Sequence, residues 1–246
     1  MTEPRRFEGQ RVLVTGAAGG LGGAIARAFH DAGAKLALAD RNAEALARVA
    51  GTLGAGIECH LYDQGELASL AALAEAAGDI DVLINNAGIL HVEKLLEVTP
   101  EMIDRVVRVN LIGPMVLARH IGAGMAARGR GVIVNTASQL AFCGAEERAA
   151  YASAKAGLVQ FTRTAAVELG RRGVRVVAVA PGRLLTPMTS YLTGDPERYQ
   201  AGIARVPVGR YGTPEEIAKL VLFLASDDAG YIVGETVIAD GGYVLG

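Results

Sequence analysis

The chain has 246 residues, 32 of them glycine and only 8 proline. That is about 13% glycine against roughly 7% on average, without the Pro-rich mix of a linker or the every-third-residue period of a collagen. Apolar residues at 51% suffice for a large core, and a formal charge of −2 gives no electrostatic case for binding nucleic acid or a membrane surface.

In chain order, short apolar runs alternate with amphipathic segments. The expected strands are Val12–Thr15, Leu36–Ala39, Glu58–Tyr62, Val82–Asn85, Val132–Asn135, Val174–Ala180 and Glu235–Ala239. Most are continuous rather than alternating in polarity, as expected of strands covered on both faces. The expected helices are Leu21–Ala32, Ala43–Gly51, Leu67–Ala77, Pro100–Ala127, Ala152–Leu169 and Pro214–Ala225. Thr213-Pro-Glu-Glu reads as a capping box, with proline at the first helical position and Glu216 three residues after the cap. Strand–helix alternation implies an α/β fold, one doubly wound parallel sheet with helices on both faces. No break in composition divides the chain, so a single domain over residues 1–246 is expected.

Two cysteines, Cys59 and Cys143, are too few for a disulfide framework, and the four histidines are scattered singly, so no metal site is expected. The N-terminal residues are polar, and charge-free stretches reach 15 residues at most, as in Val12–Ala26, which holds five glycines. The expectation is a soluble, cytoplasmic protein.

The first strand runs into Thr15-Gly-Ala-Ala-Gly-Gly-Leu-Gly-Gly23 and then a helix. A strand, a glycine turn and a helix N-terminus make an anion site, where a Cβ would hold a pyrophosphate off the backbone. Asp40 ends the second strand, 24 residues past Gly16. A carboxylate there suits both adenosine ribose hydroxyls and repels a 2′-phosphate, which favours NAD over NADP. The neighbouring Arg41 pulls the other way, because an arginine there can meet a 2′-phosphate or stack on adenine.

With these residues the sequence resembles the short-chain dehydrogenase/reductase family over essentially its whole length. Thr15, Gly16, Gly20 and Gly22 fit Thr-Gly-x-x-x-Gly-x-Gly; Asn85–Gly88 gives Asn-Asn-Ala-Gly; Tyr151 and Lys155 give Tyr-x-x-x-Lys, with Ser138 upstream and Asn110 in Val-Asn-Leu-Ile-Gly. Pro181-Gly182 follows the sixth strand, with Thr186 beyond it. The resemblance implies that Lys155 grips the nicotinamide ribose and that Asn110 positions a water in a proton relay. It also implies that Thr186 and the backbone near Leu184 fix the carboxamide and that Asp63 meets the adenine. Leu21 belongs to the pyrophosphate turn, while Asn86, Ala87 and Gly88 line the cofactor's middle. Two departures, a lone Ser138 where two serines are common and Val177 where asparagine is frequent, remove no catalytic group.

The chemistry can also be built from the residues. Tyr151 and Lys155 are four apart on an expected helix and share a face. A free tyrosine, pKa about 10, is a poor base at neutral pH, and a neighbouring ammonium favours its phenolate. Bringing that pKa to about 7–8 corresponds to about 3–4 kcal/mol and makes Tyr151 a general acid/base near working pH. Ser138 is then placed to hydrogen-bond the substrate oxygen.

A substrate lid is expected over about residues 186–206, with Met188, Tyr191, Leu192 and Tyr199 on it. Gln139, Leu140, Glu146, Arg148, Arg183 and His91 are candidate pocket neighbours, a mixture that suits a polyol, sugar or small hydroxy acid. The helix around Ala149–Leu169 carries only Lys155, Arg163 and Glu168 as charges, which implies burial on more than one face and, with the resemblance, a homotetramer or homodimer. Three readings follow. The first is an NAD-dependent secondary-alcohol dehydrogenase or ketone reductase. The second is an NADPH-dependent 3-oxoacyl-(acyl-carrier-protein) reductase, with Arg128, Arg130, Arg171 and Arg172 as a docking patch. The third is a non-catalytic NAD-binding regulator, which the intact Ser138, Tyr151 and Lys155 disfavour.

Overall fold

A computed structural model describes residues 6–185 and 196–245. Seven parallel strands form one sheet: β1 (Arg11–Thr15), β2 (Lys35–Asp40), β3 (Glu58–Leu61), β4 (Val82–Asn85), β5 (Gly131–Thr136), β6 (Val174–Pro181) and β7 (Thr236–Ala239). Their order is β3-β2-β1-β4-β5-β6-β7. The chain therefore reverses its winding between β1 and β4, the switch point where doubly wound sheets bind ligands at the strands' carboxyl ends.

Strand periodicity divides the core. Val12, Val14, Val134, Val177 and Val179 point to one face, against α1 (Gly20–Asp31), α2 (Ala43–Leu53) and α8 (Pro214–Ala225). Leu13, Leu83, Ile133 and Val176 point to the other, against α3 (Leu67–Ala77), α5 (Gly113–Arg128) and α6 (Ala149–Gly170). The exception is β3, where the expectation of two covered faces fails: Leu61 is 68% exposed, and among the described residues no strand pairs beyond this edge. Thr213 makes the expected capping box with Glu216 at the start of α8.

The single helix expected over Pro100–Ala127 is instead α4 (Pro100–Val107), a π-helical turn (Arg108–Ile112) and α5. Pro114 has no N–H to offer the Asn110 carbonyl one turn earlier, and the Asn110 side chain takes the Val106 carbonyl at 2.9 Å. A helix not expected from the sequence, α7 (Pro196–Ile203), occupies part of the lid segment. Thr186, Met188, Tyr191 and Leu192 lie outside the described residues. Among the described residues no helix is long and apolar enough to cross a membrane.

Candidate active site

A cavity of about 1040 Å³ opens at the carboxyl ends of the strands, on the order of a dinucleotide plus a small substrate. One end is the turn between β1 and α1, including Gly16, Gly20, Leu21 and Gly22. Thr15 ties this turn to the end of β4: its Oγ1 donates to the Ile84 carbonyl (3.1 Å) and accepts from the Asn86 and Ala87 amides (2.9 and 3.1 Å). The Asn86 Nδ2 donates in return to the Thr15 and Gly16 carbonyls (3.0 and 3.3 Å). This lock gives the glycines a reason besides ligand clearance. Gly16 has φ +64°, and a Cβ there would stand 2.8 Å from the Ala87 Cα. A Cβ on Gly22 would overlap the Gly16 carbonyl oxygen. No side chain caps α1 at Gly19, so its first-turn amides are left for a ligand or water.

Asp40 closes this end. Its carboxylate accepts from the Ala18 amide (3.1 Å) and the Asn42 amide (3.0 Å), which fixes its orientation at the tip of β2 while it lines the cavity. Arg41 and Asp63 line an adjoining recess shared with Asp40, and the Asp63 Oδ1 is held by the Gly65 amide at 2.8 Å.

Asn110 is fully buried in the π turn. Its Nδ2 donates to the Ile89 and Val106 carbonyls (both 2.9 Å), and its Oδ1 accepts from the Ile89 amide (3.2 Å). The side chain therefore clamps the segment after β4 to the α4–α5 unit. Gly88 is glycine here because a Cβ would come within 2.7 Å of that Oδ1. A second buried chain escaped the sequence reading: Asn85 Nδ2 donates to Asn135 Oδ1 (2.9 Å), and Asn135 Nδ2 to Thr162 Oγ1 (3.0 Å). It joins β4, β5 and α6 beneath the site. The available signal was an asparagine near the end of each of two adjacent buried strands.

Ser138 follows β5 and is almost buried, with its Oγ accepting from the Leu140 amide at 3.2 Å. Tyr151 stands in the first turn of α6 and Lys155 one turn later, its Nζ 5.8 Å from the Tyr151 ring centroid. Lys155 is 3% exposed and donates to the Thr136 carbonyl at 2.7 Å. Burial pulls the Lys155 pKa down to about 8. It also pushes the Tyr151 phenol above the usual tyrosine value, with a hydrogen bond to Ser138 pulling the other way. The expected lowering of Tyr151 is thus corrected for the protein alone: desolvation outweighs the Ser138 hydrogen bond, and Lys155 is itself kept only partly charged above about pH 8.

Beyond this trio the cavity is lined by Gln139, Leu140, Glu146, Arg148 and Arg183, all expected, and by Arg205 and Tyr243, which were not. The Gln139 Oε1 is buried and finds no donor among the described residues. His91 pairs instead with Glu93 at 2.8 Å, and Tyr199 packs edge-on against Tyr211 in a satellite cluster; neither lines the cavity. Pro181, Gly182 and Leu184 do. Gly182 is pressed against Asp240, where a Cβ would lie 2.5 Å from the Asp240 Cα.

Known proteins share this arrangement. The family model described as enoyl-(acyl carrier protein) reductase matches residues 16–244. The chain is 39% identical to galactitol 2-dehydrogenase (L-tagatose-forming) of Cereibacter sphaeroides, over 98% of this chain and 97% of the relative. It is 37% identical to a 3-oxoacyl-(acyl-carrier-protein) reductase of Thermotoga maritima, over 98% and 100%. A provisionally identified NAD(P)-dependent gluconate 5-dehydrogenase from Beutenbergia cavernae, solved with NADP at low occupancy, superposes with a TM-score of 0.93 at 39% identity, covering 99% of this chain and 100% of that one. These relatives are dehydrogenases and reductases of alcohol and ketone groups, and this chain is an oxidoreductase of CH–OH groups. From the Gly16 turn through Tyr151 and Lys155 to the last strand, the chain belongs to the short-chain dehydrogenase/reductase family.

Proposed function

We propose that the protein interconverts a secondary alcohol and a ketone on a small polar substrate, a polyol, sugar or hydroxy acid, with NAD as the preferred cofactor. The observation that carries this reading is one cavity running from the Asp40 carboxylate and the Gly16–Gly22 turn to Ser138, Tyr151 and Lys155. The turn fits a dinucleotide: its backbone is bare, its helix is uncapped, and Asp40 is held in place by two amides. Gly16, Gly20, Leu21 and Gly22 would hold the pyrophosphate, Asp40 and Arg41 the adenosine ribose, Asp63 the adenine, and Asn86, Ala87 and Gly88 the middle. Pro181, Gly182, Leu184 and Thr186 would hold the carboxamide end. When bound, the nicotinamide supplies the hydride acceptor for oxidation and the donor for reduction.

Ser138 orients the reacting oxygen, and the buried Gln139 amide oxygen offers an acceptor to a hydroxyl nearby. Tyr151 takes the hydroxyl proton in oxidation and returns it in reduction. Lys155, anchored on the Thr136 carbonyl, favours the phenolate while it is charged and is placed to hold the ribose. Asn110 holds the loop after β4 in position, and a relay water beside it is part of this reading. We assign one catalytic domain over residues 1–246 with the lid at 186–206. The cytoplasm is assigned as the location, in keeping with two free cysteines. A homotetramer, or else a homodimer, is assigned from the outer face of α6, where Ser153, Ala156, Gln160, Thr164 and Val167 are exposed.

The second reading is reduction of 3-oxoacyl groups on an acyl carrier protein with NADPH, favoured by the similarity to the Thermotoga maritima reductase. Its docking patch is weakened because Arg128 is paired with Asp79 and Arg130 with Asp81. The test is a panel of polyols, sugars, hydroxy acids and 3-hydroxyacyl thioesters with NAD and NADP. Oxidation of a polyol or hydroxy acid with NAD is expected. Turnover confined to thioesters with NADP would replace this reading by the second.

A further inference from the structure

The end of the cavity away from Asp40 carries more positive charge than proton transfer uses. Besides Lys155, it is lined by Arg148, Arg183 and Arg205, against the single carboxylate of Glu146. Arg148 is tied back through its Nη1 to the Glu146 carbonyl at 2.8 Å. Arg183 and Arg205 are not tied to an acid: among the described residues neither has a carboxylate partner. Arg183 directly follows Gly182, its Nη1 donates to the Tyr211 hydroxyl at 3.3 Å, and its Cζ lies 5.7 Å from the Tyr243 ring centroid. The Arg205 Cζ lies 4.7 Å from the same ring. The nearby Asp240 carboxylate is engaged by the Gly242 and Val244 amides (2.8 and 2.9 Å), which shape the turn that buries Tyr243 between the two arginines' segments.

The two guanidinium carbons are thus about 10 Å apart at most, a distance at which physiological salt, with a Debye length of about 8 Å, screens their repulsion only in part. Two like charges sharing one aromatic ring repel, and the ring's quadrupole offsets only part of that cost. A neutral polyol would leave the repulsion in place. A carboxylate or phosphate would relieve it, and the planar guanidinium fork matches either group.

We propose that the substrate is a polyhydroxylated molecule bearing one anionic group, carboxylate or phosphate, which Arg183 and Arg205 clamp while Ser138 and Tyr151 address its hydroxyl. The proposal rests on the alcohol–ketone reading of the same cavity and narrows its substrate class.

The test measures equilibrium binding to the NADH-loaded full-length protein by calorimetry, with D-gluconate, D-glucitol 6-phosphate and D-glucitol as probes, alongside turnover of each. At least one anionic probe is expected to bind tenfold or more tighter than glucitol, and the better of the two identifies the anion. Arg183→Gln is expected to cut that preference about tenfold, Arg183→Lys to cut it less, and added salt to weaken anion binding alone. Because Arg183 also packs on Tyr211, Arg205→Gln, at an exposed position, gives an independent reading and should cut the preference at least threefold. Equal binding of glucitol and both anions, or a preference untouched by Arg183→Gln and Arg205→Gln, overturns the proposal. Anion preference without turnover of any alcohol with either cofactor would support the clamp while sinking the alcohol–ketone reading. Turnover of glucitol without any anion preference does the reverse.

Discussion

At the Asp40 end of the cavity the walls are mostly backbone, whereas at the Arg183 end they are side chains. The first end takes its shape from one strand–turn–helix unit, Thr15 to Gly22, with Asn86 and Asp40 pinned to it by hydrogen bonds. The second is assembled from separated segments: Ser138 and Gln139 after β5, Arg148 and Tyr151 at the start of α6, Arg183 after β6, Arg205 after α7 and Tyr243 after β7. Backbone amides can recognise the pyrophosphate that all dinucleotides share, and the lone Asp40 carboxylate can tell a free ribose from a 2′-phosphate. Long charged side chains from unrelated segments can be exchanged one at a time, so the proposed function puts substrate choice at that end.

The largest effect is expected where the two ends meet. Tyr151→Phe removes the proton acceptor and should lower kcat by about a thousandfold, within the range of general acid–base catalysis. Stopped-flow or steady-state rates with the folded variant check this, and wild-type turnover would refute the mechanism. Next is Gly22→Ala, which forces a methyl into the Gly16 carbonyl. It should cost about 1–3 kcal/mol in chemical denaturation and weaken NADH binding at least tenfold, showing that the backbone end tolerates no added atom. Asp40→Asn keeps one amide acceptor but loses the charge, and should reduce the preference for NAD over NADP by about tenfold, the worth of roughly 1.4 kcal/mol. An unchanged cofactor ratio would mean that Arg41 governs the choice.

A pH series sharpens the same comparison. Oxidation needs the Tyr151 phenolate, so its rate rises with pH while reduction falls. Lys155→Met deletes the cation that favours the phenolate, so the rising limb should move to higher pH; a fixed limb would remove Lys155 from proton management. The smallest effect lies away from both ends. Thr213→Ala breaks the capping box of α8 and should cost about 1 kcal/mol in denaturant melts. There, hydrogen bonding to Arg210 and the Thr213 amide holds Glu216 down at about 2. With a depressed folded pKa, that contribution is present above about 4.5 and fades as pH falls towards 2.

Much of this site was legible because its signals are local. Gly16, Gly20 and Gly22 sit within one turn, Asp40 ends the next strand, and Tyr151 and Lys155 share a helical face by spacing alone. The capping box at Thr213 was read from four consecutive residues. Other features were hidden because they depend on what lies across space. The π turn at Asn110 shows in sequence only as Pro114, and its reason, the carbonyls of Ile89 and Val106, comes from two segments. Nothing local in the sequence singles out Arg205, which the segments after α7 and β7 bring to 4.7 Å from the Tyr243 ring centroid.

The surplus of glycine and the alternation of buried strands with amphipathic helices pointed to the fold in the sequence itself, since each follows from backbone sterics or a local period, while the reaction class came from the family resemblance carried by Ser138, Tyr151 and Lys155 in order. The tertiary structure decided three further things. It showed that Gly16, Gly22, Gly88 and Gly182 make room for neighbouring protein atoms. It placed Tyr151 and Lys155 where burial shifts both away from their charged forms. It left Arg183 and Arg205 near one Tyr243 ring with no carboxylate partner among the described residues. All three depend on desolvation and contact between distant segments, which only the folded chain brings together.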